Sequence, residues 1–415
     1  MAQDVSGRLA PGNMSTGRIL VALVVVNFVS IAGFGMLLPV FAVVGKQIGA
    51  SGTEIAWAIA AFSLGQLLSG ALFGRLSDRY GRKPLMIFGM LGSSLLYLAH
   101  LLATLPELLV LVRFAAGITS GSFALSFAVG SDISTPATRA RVLGIVGAGF
   151  SVGFIFGPAI GGFAAGLVGE EAAFRVICLL SAGLSLSAAL ATVLLLPETR
   201  VVAARGDSDR SRPRVRDLIR QRDFFAVLAI GLAGTVGMSM LHGVFVLFAD
   251  DVLHIDPLGI GLMYTVMGVC GVLTQAGAVG PVAETVGEHW MLVLAMAVVC
   301  CGMLCVGSTT SVPWALIAMA AVAVGFSLLN TAVATLASLL AVESMQGTAL
   351  GLVQAITSLG RFLGPAVAGP LYDVQGPSAP FYWGAAVIAV FTCAAAYWQP
   401  GVGRHPRRGG DRRRA

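Results

Sequence analysis

The sequence predicts an all-α membrane protein of twelve transmembrane helices in two six-helix bundles, and three observations carry that prediction. Of the 415 residues, 57% are hydrophobic and only 11% charged, whereas a soluble domain carries about a quarter charged residues. Twelve apolar runs each reach the roughly 20 residues that a helix needs to cross a bilayer. The chain also repeats itself: Gly144, Gly153, Gly157-Pro158 and Gly161-Gly162 recur as Gly351, Gly360, Gly364-Pro365 and Ala368-Gly369, always 207 residues later.

Residues 1–17 are polar and bear Gly, Pro and Ser; they read as a cytoplasmic tail in which Met14 offers a second start. The apolar run after Arg18 is far longer than the 7–15 residues of a signal-peptide core, so it reads as a span that stays. The spans are expected at 18–44, 54–74, 84–104, 107–130, 141–166, 173–196, 224–249, 258–280, 290–308, 312–338, 347–371 and 380–399. They group into an N-terminal bundle over 18–199 and a C-terminal bundle over 224–400. A linker over 200–223 carries eight arginines, and a basic cytoplasmic tail covers 401–415. With the N-terminus in the cytoplasm, all of the 26 Lys and Arg fall on that side except Lys46, Arg175, Arg113 and Arg361. The positive-inside rule therefore places both termini in the cytoplasm of a multi-pass protein of the cell inner (plasma) membrane. The six cysteines (178, 270, 300, 301, 305, 393) sit in apolar helices without framework spacing and read as small buried hydrophobes. The net charge of +6 resides in membrane-flanking loops, which implies no nucleic-acid partner.

Between spans two and three lies Gly74-Arg75-Leu76-Ser77-Asp78-Arg79-Tyr80-Gly81-Arg82-Lys83-Pro84, five of whose eleven residues are charged. The glycines permit a tight turn and Pro84 suits the first turn of a helix. On charge alone the segment could do no more than set topology. Its pattern, Gly-x-Leu-x-Asp-Arg-x-Gly-Arg-Lys, resembles the signature loop of the major facilitator superfamily. Gly74, Asp78 and Gly81 recur as Gly280, Glu284 and Gly287 without the basic residues, so the halves are not equivalent. The resemblance implies two six-helix bundles in parallel repeat, with a binding site near the midplane between them. It also implies that Asp78, Arg82 and Asp132, at the end of span four, form a cytoplasmic latch. Asp78 could alternatively cap the N-terminus of span eleven. The bland alternative is a static surface ion pair worth at most about 1 kcal/mol.

In span five, Gly149, Gly153, Gly157 and Gly161 recur every four residues and stack on one helix face. Pro158 invites a bend. Close helix packing alone explains a small-xxx-small face. The whole pattern (Gly144, Gly153, Gly157, Pro158, Gly161, Gly162) resembles the antiporter signature of the superfamily's drug-efflux members. Span four carries Arg113, about 9 Å below the outer end, which either faces protein and functions or snorkels to the interface. Leu109-x3-Arg113-x3-Gly117 resembles the superfamily's fourth-helix motif, which implies a part for Arg113 in proton coupling; the glutamine of that motif is Ala116 here. Arg361, beside Gly360, reads as a structural or gating charge toward the cytoplasmic half of span eleven.

Asn27, Gln66, His100, His242, Gln275, Asn330 and Gln354 are polar residues within spans and candidates to line the cavity, although each could equally bond one helix to another. His242 is the only titratable group near the middle of span seven. Proton coupling is expected at Arg113, His242 or Glu54, with Asp78 and Asp132 as further titratable groups. The spans resemble most the twelve-helix drug:proton antiporters, including the tetracycline-efflux group. That resemblance implies a monomer that exports a small, largely apolar compound, exchanges it for protons by alternating access and works in the lipid bilayer. The acids expected of a tetracycline exporter are Ser30 and Leu96 here. Without a carboxylate deep in spans 1, 3, 7 and 9, neutral or weakly basic compounds are expected in place of a cationic metal–drug complex. Export of a sugar, amino acid or other polar metabolite is the alternative. No His/Asp/Glu or Cys cluster suggests an enzyme, a metal site or a cofactor.

Overall fold

The computed structural model describes residues 16–135, 138–199, 215–342 and 345–398. The basic tail at 401–415, and nearly all of the N-terminal tail and the linker arginines up to position 214, lie outside the described residues. Among the described residues there are twelve helical spans: Thr16–Gln47, Gly52–Tyr80, Arg82–Leu102, Pro106–Asp132, Arg141–Val168, Ala172–Leu195, Arg222–Asp251, Pro257–Val286, Glu288–Ser308, Val312–Leu340, Thr348–Gln375 and Ala379–Tyr397. They are numbered one to twelve below. The described residues contain no strand.

Several helices outrun the apolar stretches that announce them. Span two, expected to end at residue 74, continues to Tyr80. The charged segment after it is therefore two more turns of helix, and Gly81 alone makes the corner before span three begins at Arg82. Hydropathy marks where hydrocarbon ends, whereas a helix continues as long as each residue adds a backbone bond, and Arg and Leu are good helix formers. Gly81 has φ 96° and ψ 161°, a region essentially closed to residues with a Cβ. The same corner recurs at Gly169, Gly287 and Gly376, with φ of 79°, 81° and 100°. Each half thus turns twice through one glycine, and the sequence repeat becomes a repeat of geometry. Irregularities lie inside the membrane: a break at Ser120 in span four, a π-turn at Thr274–Ala278 in span eight, and Pro39, Pro158, Pro365 and Pro370 within helices.

The glycine ladders build each half. A Cβ placed on Gly149, Gly153 or Gly157 would lie 2.5, 2.7 or 2.8 Å from the carbonyl oxygens of Val24, Phe28 and Ala32. Gly161 meets Met36 in the same register. Span five thus lies with its backbone against span one, each glycine on the next turn of its neighbour. In the second half Gly360 abuts Thr235 and Gly364 abuts Val236 and Met240, so span eleven lies on span seven likewise.

The halves meet at one end only. Gly162 of span five faces Pro257 and Gly261 of span eight, while its repeat partner Gly369 of span eleven faces Thr53 and Ala56 of span two. Contact reaches inward to Ile155 and Gly268. Toward the other end, Gly70, Gly74, Gly144, Gly147, Gly277, Gly280 and Gly351 face open space, with nothing within 4 Å of a built Cβ. The result is a cleft closed at the Lys46 end and open at the Gly81 end.

Candidate functional site

At the open end, the corner at Gly81 gathers charge. The Arg82 guanidinium lies 3.5 Å from Asp78 and 3.2 Å from Asp132 and donates to Ser77 Oγ at 2.5 Å. The structure therefore brings Asp78, Arg82 and Asp132 together. Glu198, which sequence reasoning missed, accepts from the backbone N–H groups of Arg82 and Lys83 at 2.9 and 3.1 Å. It supplies the start of span three with the acceptors that a helix N-terminus lacks and ties that start to the end of span six. All of these groups belong to the first half. Gly74, one turn before Asp78, has nothing within 4 Å of a built Cβ in this open form.

The closed end is held by residues to which the sequence assigned no role. Lys46, at the end of span one, reaches Asp250 at 2.5 Å and Asp251 at 2.6 Å, at the end of span seven. Tyr372 of span eleven donates to Asp251 at 2.6 Å. Asp373 accepts from the backbone and hydroxyl of Thr53 at 2.8 and 2.6 Å, and Trp57 Nε1 donates to the Ala366 carbonyl at 3.2 Å. A signal was available. Lys46 is the only lysine outside the signature segment, and the repeat aligns the end of span one with the end of span seven. Glu54 lies nearby, but its carboxylate closes a capping box with Ser51, accepting from the Ser51 N–H at 2.8 Å and hydroxyl at 2.9 Å.

Between the two ends lie the buried cations. Arg113 is 1% exposed, so it does not snorkel. Its guanidinium carbon sits 4.3 Å from the Phe41 ring centroid, 5.6 Å from Phe34 and 5.9 Å from Phe62. Nε and Nη2 have no hydrogen-bond acceptor. Three aromatic faces thus substitute for a counter-ion. Arg361 lies at the middle of span eleven rather than toward its cytoplasmic half; Nη2 donates to Ser358 Oγ at 3.1 Å and Nε is buried without an acceptor. His242 stacks on Tyr264 of span eight (6.0 Å, 11°) and meets the edge of Phe154 of span five (6.1 Å, 89°). It therefore stands where the halves touch.

Some of the polar candidates belong elsewhere. Asn27 is fully buried and donates to the Val146 carbonyl at 2.8 Å while accepting from Ser126 at 2.5 Å. It bonds spans one, four and five inside the first half and does not line the cleft, because an amide buried among apolar helices needs protein partners. His100 is 1% exposed, with Nδ1 2.6 Å from the Leu96 carbonyl of its own helix. Gln66 is half-buried, while Gln275, Asn330 and Gln354 are exposed. Of the span-five motif, Gly153, Gly157, Pro158 and Gly161 seat span five on span one, Gly162 reaches the second half, and Gly144 faces open space. An apolar groove of about 520 Å³ between spans nine and ten, lined by Cys301, Gly302, Cys305 and Trp314, lies within the second half and has no part in the cleft.

Comparison with known proteins follows the same lines. A family model of the Major Facilitator Superfamily matches residues 23–249 and again 227–414. The chain is 28% identical over 393 residues to Multidrug resistance protein 1 of Bacillus subtilis, covering 93% of this chain and 98% of that one. It is 26% identical over 362 residues to Quinolone resistance protein NorA of Staphylococcus aureus, covering 86% and 90%. Among solved structures, a bacterial homolog of the human lysosomal transporter Spinster, in an inward-facing and occupied conformation, superposes with a TM-score of 0.73 at 17% identity. It covers 92% of this chain and 95% of that one, and the likeness shows the fold alone.

Proposed function

The chain belongs to the Major Facilitator Superfamily, is a transporter of the plasma membrane with twelve spans, and on that premise we propose that it exports small lipophilic compounds from the cytoplasm. The observation that carries this reading is the one-sided contact of two repeated halves. They are sealed by Lys46, Asp250, Asp251, Tyr372 and Asp373 at one end and parted at the other. With both termini in the cytoplasm, the open end faces the cytoplasm and the sealed end faces outward. The relatives named for multidrug and quinolone resistance support a drug-like cargo.

Transport follows from rocking the halves, here 18–199 and 224–400, about the cleft. The glycine ladders hold span five to span one and span eleven to span seven, so each half moves as a body. Closing the cytoplasmic end brings together faces that are now bare at Gly74, Gly280, Gly144 and Gly351. The Arg82 corner, fixed by Asp78, Asp132 and Glu198, is then presented to span eleven. Proton exchange supplies the drive, with His242 and Arg113 beside the cleft and Asp78 and Asp132 at its mouth as the groups that couple it. A single chain holds both halves, so a monomer suffices.

A panel of toxic lipophilic compounds tested on cells with and without the gene checks this function. Expression is expected to raise resistance to several compounds and lower their accumulation, and a protonophore to abolish both effects. Unchanged sensitivity across the panel, with the protein present in the membrane, overturns export. Resistance that survives the protonophore overturns only the proton drive.

A further inference from the structure

The repeat that relates the two halves changes chemistry at two positions beside the cleft. Gly153-Phe154 in span five corresponds to Gly360-Arg361 in span eleven, and Phe34-Gly35 in span one to His242-Gly243 in span seven. The backbones correspond as well, since Gly35 lies against Pro158 and Gly243 against Pro365. The first half therefore offers two phenylalanines where the second offers an imidazole and a guanidinium. The two walls touch, with Phe154 edge-on to His242 at 6.1 Å, and Phe34 is stacked on Phe62 at 5.0 Å.

Three polar atoms on the second wall are buried without a partner: Arg361 Nε, His242 Nε2 and the Tyr264 hydroxyl. Tyr264 is wholly buried and stacked on the His242 ring. Arg361 and His242 lie on adjoining spans, with Gly360 against Thr235, Gly364 against Ser239 and Pro365 against Gly243. The four ion pairs among the described residues lie at the two ends, around Lys46 and Arg82, and none involves Arg361. A buried cation without an anion and buried donors without acceptors are both unfavourable, and an intramembrane charge in that position marks a substrate path by default. A carboxylate satisfies both needs at once, because it accepts from Nε and a hydroxyl while neutralising the guanidinium.

Resting on the export reading above, we propose that Arg361 and Tyr264 bind the carboxylate of the exported compound, with His242 stacked on the Tyr264 ring, while Phe154 and Phe34 take its aromatic body. The cargo is then an amphiphilic aromatic acid, where the lack of membrane carboxylates alone suggested neutral or weakly basic compounds. The same lack fits an acid equally well, since no fixed anion repels it.

The test uses the purified full chain in lipid nanodiscs, with binding to empty discs subtracted. The probes are matched acid and amide pairs: benzoate and benzamide, 1-naphthoate and 1-naphthamide, 1-pyrenebutyrate and 1-pyrenebutanamide. The larger acids are expected to bind about tenfold tighter than their amides, the gain of one charge-assisted contact. Arg361→Gln is expected to erase that gap while leaving amide affinity within about twofold, and Arg361→Lys to keep part of it. Failure of every acid to outbind its amide, absence of acid binding altogether, or a gap that survives in Arg361→Gln overturns the inference. Should Arg361→Gln not fold, the native acid-to-amide ratio and its loss in Tyr264→Phe decide. A chain that exports neutral toxic compounds but shows no acid preference loses this inference alone, whereas one that exports nothing loses the export reading.

Discussion

Lys46→Gln removes the ammonium that joins spans one and seven and leaves Asp250 and Asp251 side by side without it. Both contacts are short, 2.5 and 2.6 Å, but the three side chains are 36 to 40% exposed. Water screens such pairs, and each contributes about 0.5–1 kcal/mol. Their joint loss, about 1–2 kcal/mol, shifts the equilibrium between the two open forms roughly 5- to 30-fold toward the one open at the Lys46 end. The shift stops there because Tyr372 still donates to Asp251 and Asp373 still holds Thr53. The reporter is Thr265→Cys in a background without native cysteines. Thr265 bonds to the Gly261 and Ile155 carbonyls, beneath the seal of Gly162 on Pro257. An impermeant maleimide added to intact cells reaches it only when the outer end opens. Labelling is expected to accelerate about 5- to 30-fold in Lys46→Gln. The Asp250→Asn plus Asp251→Asn variant should match it, and all three changes together should add nothing further, as groups acting through one interaction do. Equal labelling rates with and without Lys46→Gln would refute the gate.

Gly153→Leu forces a side chain into the Phe28 backbone, an overpacking that costs about 1–3 kcal/mol; thermal unfolding followed by size-exclusion should show a lower midpoint, with Gly183→Leu, where nothing lies within 4 Å, unchanged. Arg113→Met replaces a buried, acceptor-poor cation by an apolar chain among Phe34, Phe41 and Phe62; the melting temperature should hold or rise while uphill export is lost, and a sharp fall in stability would make Arg113 a structural residue. Asp132→Asn frees one side of Arg82 and should leave membrane insertion intact while export drops severalfold in vesicle assays; native export at equal expression would reduce the corner to topology.

The class of the molecule was legible in the chain because hydrocarbon imposes it locally. A helix must satisfy its own backbone there, so twelve apolar runs become twelve spans whatever they pack against. The glycine ladder of span five was legible for a similar reason, since a four-residue period places Gly149, Gly153, Gly157 and Gly161 on one face in any helix. The charges of the Gly81 corner also meet, because Asp78 and Arg82 flank a one-residue turn that keeps them close whatever the two helices pack against.

What the ladder packs against is not a local property. Only the tertiary structure assigned it to span one of the same half and left Gly162 to meet the other half. The extent of span two was hidden because hydropathy reports the solvent around a helix and not its backbone bonds. Lys46 and its two aspartates are 204 and 205 residues apart in the chain, and a pair at that distance becomes a gate only when two helices converge. Asn27, polar in the sequence and fully buried in the fold, shows the same limit from the other side. Residue chemistry announces the need for a partner, and packing alone decides whether that partner is another helix or the cargo.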